Sequence, residues 1–339
     1  MKHFNIAFIS LFVALVLGAI NGYVSQHSLL DALFAMESIL ILSALETSQS
    51  MDNSIIAAKI LKDFSPKWQN RYKTWGFLIA VLGMRFLMPV LLVSAITKIS
   101  PIASIVMAFH EPQKYAQTIL SSEPKIMSFG GAFLLMLSSY SLFNHEKDTH
   151  WLKVEEYLSK MSNSTFATYT LSFLITGFVL LLTCFYAKAE EKMGIFVSGV
   201  AGLIAFALVK LLGVWVGEPG SKKGGSALGA FIYLEAIDAS FSFDGVISSF
   251  AVSTNLINNM LGLGVGAMVV RCLTLANVKS GFMAELPYLE NGAYASIFIL
   301  SLLMYLKDVG LNVPDFITGT LGLFIIGLSF ISSVRAAKA

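Results

Sequence analysis

Charge is scarce in this chain. Only 13% of its 339 residues are Asp, Glu, Lys or Arg and 56% are hydrophobic, whereas roughly one quarter of a soluble domain is charged. With a mean hydropathy of +0.73, a soluble fold is excluded and an all-α polytopic membrane protein in contact with the lipid bilayer is expected. Cysteine is nearly absent. Cys184 and Cys272 both lie in apolar runs, in no spacing that fits a zinc site or a disulfide framework. The net charge of +2 comes without a basic stripe interleaved with aromatics, so nucleic acid is not an expected partner. No nucleophile stands beside a base at a plausible spacing and no cofactor motif is found, so neither an enzyme nor a permanently bound cofactor is expected. Lys2 and His3 precede the first apolar run as in a signal peptide, but no small-x-small cleavage site follows near residues 19–24. It reads as a retained span.

What the chain has in abundance is apolar runs near the 17 to 25 residues that cross a bilayer. They fall at 5–23, 29–58, 76–97, 126–144 and 165–187, then at 193–215, 227–251, 259–278, 292–306 and 316–334. About nine or ten transmembrane helices follow, in two halves, 1–160 and 161–339. The run at 29–58 is too long for one plain helix and carries four acids, and the short run at 292–306 fits a re-entrant segment. Residues 98–125 read as a loop with a short interfacial helix, and 217–225 as a flexible linker. With the N-terminus inside, Lys59, Lys62, Lys67, Arg71, Lys73, Lys147, Lys153 and Lys160 all fall on the cytoplasmic side, and Trp68, Trp75, Trp151 and Trp215 at cytoplasmic span ends. Positive charge inside and tryptophan at the interface both favour N-in, C-in.

Two stretches break the apolar pattern. Glu46-Thr-Ser-Gln-Ser-Met-Asp52-Asn53 and Asp238-Ala-Ser-Phe-Ser-Phe-Asp244-Gly245 each place two carboxylates six residues apart, with Ser third and fifth, and a turn-prone residue after the second acid. An ionised side chain in apolar sequence costs several kcal/mol or so unless it is paired, hydrated or bound to a cation. The first motif lies on a span running outside to inside, the second on one running inside to outside. The repeat is therefore inverted. Arg85 and Arg271 follow on the next span in each half. Inverted repeats with broken polar helices near the midplane are the architecture of many secondary transporters, although a fold does not fix a function.

Six residues on an unbroken helix turn through about 600°, leaving the two acids some 120° apart. One site therefore needs a break, and Asn53 and Gly245 tolerate turn conformations. Unwinding there would set backbone carbonyls beside the carboxylates and the hydroxyls of Ser48, Ser50, Ser240 and Ser242. All of these ligands are oxygens, which suit Mn, Mg or Ca, while His3, His27, His110, His145 and His150 lie outside the motifs. Glu235 precedes Asp238 by three residues and shares its helical face. Close carboxylates repel when both are ionised, which makes one a proton-binding position that a cation would empty. The alternative is that Arg85 and Arg271 neutralise the acids in structural ion pairs. The cluster His145, Glu146, Asp148, His150 reads as a solvated loop, and Gly262, Gly264 and Gly266 as close helix packing.

At these residues the chain resembles the TerC family of integral membrane proteins, named for tellurite resistance and including manganese exporters, and more closely a divergent branch of it. The matching segments are Leu45–Ala58, Trp75–Pro89, Phe129–Phe133, Glu235–Phe250, Gly262–Arg271 and Tyr288–Ala293. The resemblance implies a bacterial cytoplasmic-membrane protein that exports a divalent metal, manganese first. Its site candidates are Glu46, Asp52, Asn53, Asp238 and Asp244, with Glu235, Ser50, Ser242, Arg85 and Arg271 supporting metal binding or proton coupling. This chain departs from the family in Asp238, where the first motif has Glu46, and in Asp244-Gly245, where an Asp-Asn pair is expected. The family's tellurite association leaves a second reading, a membrane scaffold in stress resistance without transport.

Overall fold

The computed structural model describes residues 4–147, 149–216, 227–280, 286–311 and 313–336, so the 217–225 linker and Asp148 lie outside the described residues. Those residues form helices and turns and no strand. The order is α1 Asn5–Gln26, α2 Leu29–Gln49, α3 Met51–Leu61 and α4 Pro66–Arg71, then π-helical segments Tyr72–Gly76 and Ile79–Leu87 leading into α5 Met88–Thr97. There follow α6 Pro101–His110, α7 Pro112–Leu120, α8 Glu123–Leu142, α9 Lys153–Met161, α10 Thr165–Tyr186, α11 Lys192–Val216, α12 Ala227–Val252, α13 Leu256–Ser280, α14 Leu289–Asp308 and α15 Asp315–Ala336.

Seven described helical stretches are long and apolar enough to cross a membrane: 5–24, 66–95, 123–142, 165–186, 192–213, 256–279 and 289–308. The acidic helices α2 and α12, of 21 and 26 residues, have the length to span but carry the motif acids that lower their hydropathy. The apolar surface has two destinations. In α8, 78% of an 18-residue apolar stretch is buried, whereas in α11 only 22% is, and the outward faces of α10 and α11 carry Phe173, Phe178, Val197 and Leu211. Apolar side chains exposed over whole helices are what lipid, and not water, accommodates. The protein is a multi-pass membrane protein.

Three expectations meet a different backbone. The first acidic run does break, but at Ser50, whose φ of −102° and ψ of 15° separate α2 from α3. Asn53 is helical. Thr47 and Ser48 turn their hydroxyls back to the carbonyls of Ser43 and Leu45, and such back-bonding weakens and bends a helix locally. The second copy has no break: α12 runs unbroken through Asp238, Asp244 and Gly245, with Ala239 and Phe241 where the first copy has Thr47 and Gln49 and serine kept at the position of Ser50. The run at 292–306 belongs to a 20-residue helix and is not a short re-entrant segment. Residues 98–125 hold two short helices, α6 and α7, each opened by a proline in its first turn.

The chain forms two compact units. The first comprises Met1–Ser50, Phe64–Glu123 and Ser242–Ala276, the second Met51–Asp63, Pro124–Phe241 and Asn277–Ala339. Both boundaries at which a motif is cut, Ser50/Met51 and Phe241/Ser242, fall between the two acids of that motif. In the first unit α2 lies against α13 with almost no gap. A Cβ on Gly262 would sit 2.7 Å from the Leu42 Cβ, and one on Gly266 would sit 2.5 Å from the Glu46 Cβ. Ser43 closes the contact by donating to the Gly262 carbonyl at 3.0 Å. In the second unit α8 is central: Ser128 donates to the Ile195 carbonyl at 2.7 Å, and Gly131 lets the Tyr305 ring approach to van der Waals contact.

Candidate functional site

In the first unit the central carboxylate is Glu46, on the last turn of α2 and 4% exposed. Arg85, 3% exposed, donates to Glu46 Oε1 through Nη2. Its Nη1 donates to the Ala80 carbonyl at 2.9 Å. Arg85 owes this reach to the π-helical run Ile79–Leu87; π turns inside helices are frequent at functional positions. Ser50 Oγ donates to the same carboxylate oxygen at 3.4 Å. A Cβ at Gly245 would stand 2.8 Å from Glu46 Oε2, and since Arg85 holds that carboxylate it cannot swing aside freely. Glycine follows Asp244 here because a side chain would push Glu46 off its arginine. Asp244 is itself buried, at 5% exposure, as is Ser242.

Arg271 occupies the same unit, 2% exposed. It donates to the Gly76 carbonyl at 2.9 Å, with its guanidinium carbon 4.9 Å from the Tyr72 ring centroid. Arg85 thus grips a motif acid, and Arg271 holds a turn of the π-helical segment Tyr72–Gly76 and its aromatic ring.

The second unit holds the other acids. Asp52, in the first turn of α3, is 4% exposed. Its Oδ1 accepts from the Asn53 backbone N–H at 2.9 Å and its Oδ2 from Ser296 Oγ at 3.1 Å. No basic side chain pairs with it among the described residues. Asn53 and Glu235 are buried and Asp238 is half-buried. The site candidates are therefore divided: Glu46, Ser50, Ser242, Asp244, Arg85 and Arg271 belong to the first unit, and Asp52, Asn53, Glu235 and Asp238 to the second.

Two features of the second unit escape sequence reasoning. Ser296 is the hydroxyl partner of Asp52, a serine in the apolar middle of α14 that carries no motif of its own. The other is Glu155, in a loop that reads as solvated but 3% exposed. It accepts from Lys147 Nζ at 3.0 Å, from Asn291 Nδ2 at 2.8 Å and from the backbone N–H groups of Trp151 and Leu152. His150 Nδ1 stands 3.8 Å away. Asn291 also donates to the Thr149 carbonyl at 2.9 Å, and Glu290 beside it pairs with Lys59 at 2.5 Å. The start of α14 thus fastens the 144–152 loop and the first turn of α9, where Glu155 lies. Glu155→Ala should lower stability by about 3 kcal/mol, because it strips charged hydrogen bonds and strands a buried ammonium; reversible unfolding in mixed micelles would measure it, and an unchanged midpoint would refute the role.

Among known proteins, 28% identity over 151 residues relates the chain to the uncharacterized membrane protein YceF of Bacillus subtilis (strain 168), covering 41% of this chain and 54% of that one. The chain thus spans about half the length of that relative. No solved structure matches. Residues 51–339, beginning at α3 and containing Asp52, Asn53, Glu235, Asp238 and Asp244, match the family described as "Protein of unknown function (DUF475)", and the chain belongs to that family.

Proposed function

We propose that this membrane protein transports a hard divalent cation, manganese foremost, outward across the bacterial cytoplasmic membrane in exchange for protons. The observation that carries this is the contrast between two buried acids. Glu46 has an arginine; among the described residues Asp52 has a hydroxyl and a backbone N–H and no basic partner. A carboxylate in apolar surroundings without a basic partner takes up a proton or a metal ion. Competition between those two occupants is the elementary step of cation/proton exchange. Asp52 and Asn53 supply hard oxygen donors, as manganese, magnesium and calcium prefer. Asp238 and Glu235, in the same unit as Asp52, are the further acids of the proposed route. Orientation with both termini inside follows from the lysine distribution, and the direction and the metal from the resemblance to manganese exporters.

The test is flux. Purified protein in liposomes containing a manganese-quenched dye is expected to quench when manganese is added outside under a pH gradient, and to release protons in the opposite sense. Absence of flux at every pH gradient would remove transport and favour the second reading, a membrane scaffold, which the buried Glu46–Arg85 pair supports.

A further inference from the structure

Within the second unit a cavity of about 440 Å³ lies among the ends of α3, α8 and α11, the start of α14 and the first half of α12. Its lining includes four lysines, Lys59, Lys62, Lys147 and Lys210, against Asp63, Glu146 and Glu290. The acids are largely committed or peripheral. Glu290 is taken by Lys59 at 2.5 Å, and Glu146 is 70% exposed. Lys147 reaches back to Glu155, and burial still pushes its ammonium below the usual lysine range against the pull of that carboxylate. Lys62 makes no ion pair among the described residues. Lys210 Nζ stands 4.4 Å from the Tyr140 ring centroid.

Lys210 is the informative residue. It lies on α11, whose neighbouring Leu208, Leu211 and Leu212 are 55%, 62% and 40% exposed on a lipid-facing helix. A lysine directed into acyl chains is costly, and this one turns instead into the cavity over an aromatic face. The cavity therefore sits beside the lipid surface at one end of the helices, the level at which headgroups lie. Tyr140, Tyr233 and Ser141 add hydroxyls to its wall. Four lysines against three acids leave the lining with an excess of positive charge, which favours an anion over a divalent cation. Basic pockets between membrane helices at a headgroup level bind phosphate-bearing lipids.

We propose that this cavity binds the phosphate of an anionic ligand, either a phospholipid headgroup or a free phosphate, between Lys62 and Lys210. Binding requires no transport activity and stands apart from it. The experiment is native mass spectrometry and thermal unfolding of the purified full chain with phosphatidylglycerol, phosphatidylcholine or inorganic phosphate added. Phosphatidylglycerol is expected to stay bound and raise the unfolding midpoint, phosphatidylcholine to do neither. K62Q/K210Q should lower phosphatidylglycerol retention by about tenfold or more, while K188Q, an exposed lysine outside the cavity, leaves it unchanged. If the double variant does not reach the membrane, K62Q alone should lower retention by about threefold. A lysine-dependent midpoint shift with inorganic phosphate, without lipid retention, would support the phosphate site and assign it to a free anion. Retention of neither probe, or retention that K62Q and K210Q leave unchanged, would overturn it.

Discussion

Asp52→Asn is expected to abolish manganese flux while the protein still folds and inserts. Asparagine has nearly the same shape: its carbonyl oxygen keeps accepting from the Asn53 N–H, and the Ser296 hydroxyl, 3.1 Å from the present carboxylate, turns to accept from its NH2. What it loses is the negative charge that a proton or a metal ion compensates. Changing a residue that merely orients a metal ligand costs about 10- to 100-fold, so removing the charge of the ligand itself should cost at least about 100-fold and bring flux to that of empty liposomes. Ser296→Ala should be far milder. It deletes one hydrogen bond, about 1 kcal/mol, or roughly a fivefold loss in apparent affinity. Native flux in Asp52→Asn would show that this carboxylate carries nothing, and the transport proposal would fall with it.

Arg85→Gln should be the most destabilising single change in the first unit. Glu46 would be left in the interior with Ser50 Oγ, 3.4 Å away, as its recorded side-chain partner. Breaking one side of a buried pair costs about 3–5 kcal/mol, chiefly through the stranded charge, whereas replacing both sides can be neutral. Glu46→Gln/Arg85→Gln should therefore recover most of the loss, and unfolding midpoints of the two single variants and the double variant form the measuring cycle. The double variant also separates the two functional readings. If it is stable and still moves manganese, Glu46 is a structural residue and the cation route depends on the remaining acids. A double variant no more stable than Arg85→Gln would mean that Arg85 acts through the Ala80 carbonyl and local packing, not through its charge.

Class was legible at once, because composition alone settles whether a chain can live in water. The position of the acids was legible too, since a carboxylate in an apolar run stands out against its neighbours. What local sequence could not give was the partner of each acid. Arg85 was visible as the basic residue of the following span, but Ser296 lies 244 residues from Asp52 and is one of many serines. Helical phase calls for a break between Glu46 and Asp52 and turn propensity points to Asn53, but the chain breaks at Ser50, just after Thr47 and Ser48 turn their hydroxyls onto helix carbonyls. The same helical phase brings no break in the second copy: α12 is continuous through Asp238 and Asp244, although a unit boundary falls between the two acids in both copies. Glu155 was hidden for a simpler reason: a charged residue in a polar loop looks solvated until a distant helix covers it.

The π-helical run from Ile79 to Leu87 also sets a phase. A π turn closes its ring one residue later than an α turn, so this helix contains slack that a regular α-helix of the same span would not. Each residue of an α-helix turns the next by about 100°, so the slack decides which way Arg85 faces relative to Pro66–Arg71 before it and Met88–Thr97 after it. The helix works like a vernier, its middle wound to a different count from its regular ends. A family member with one residue fewer in this stretch would have its guanidinium turned away from α2, and would need another cation for Glu46 or no acid there at all.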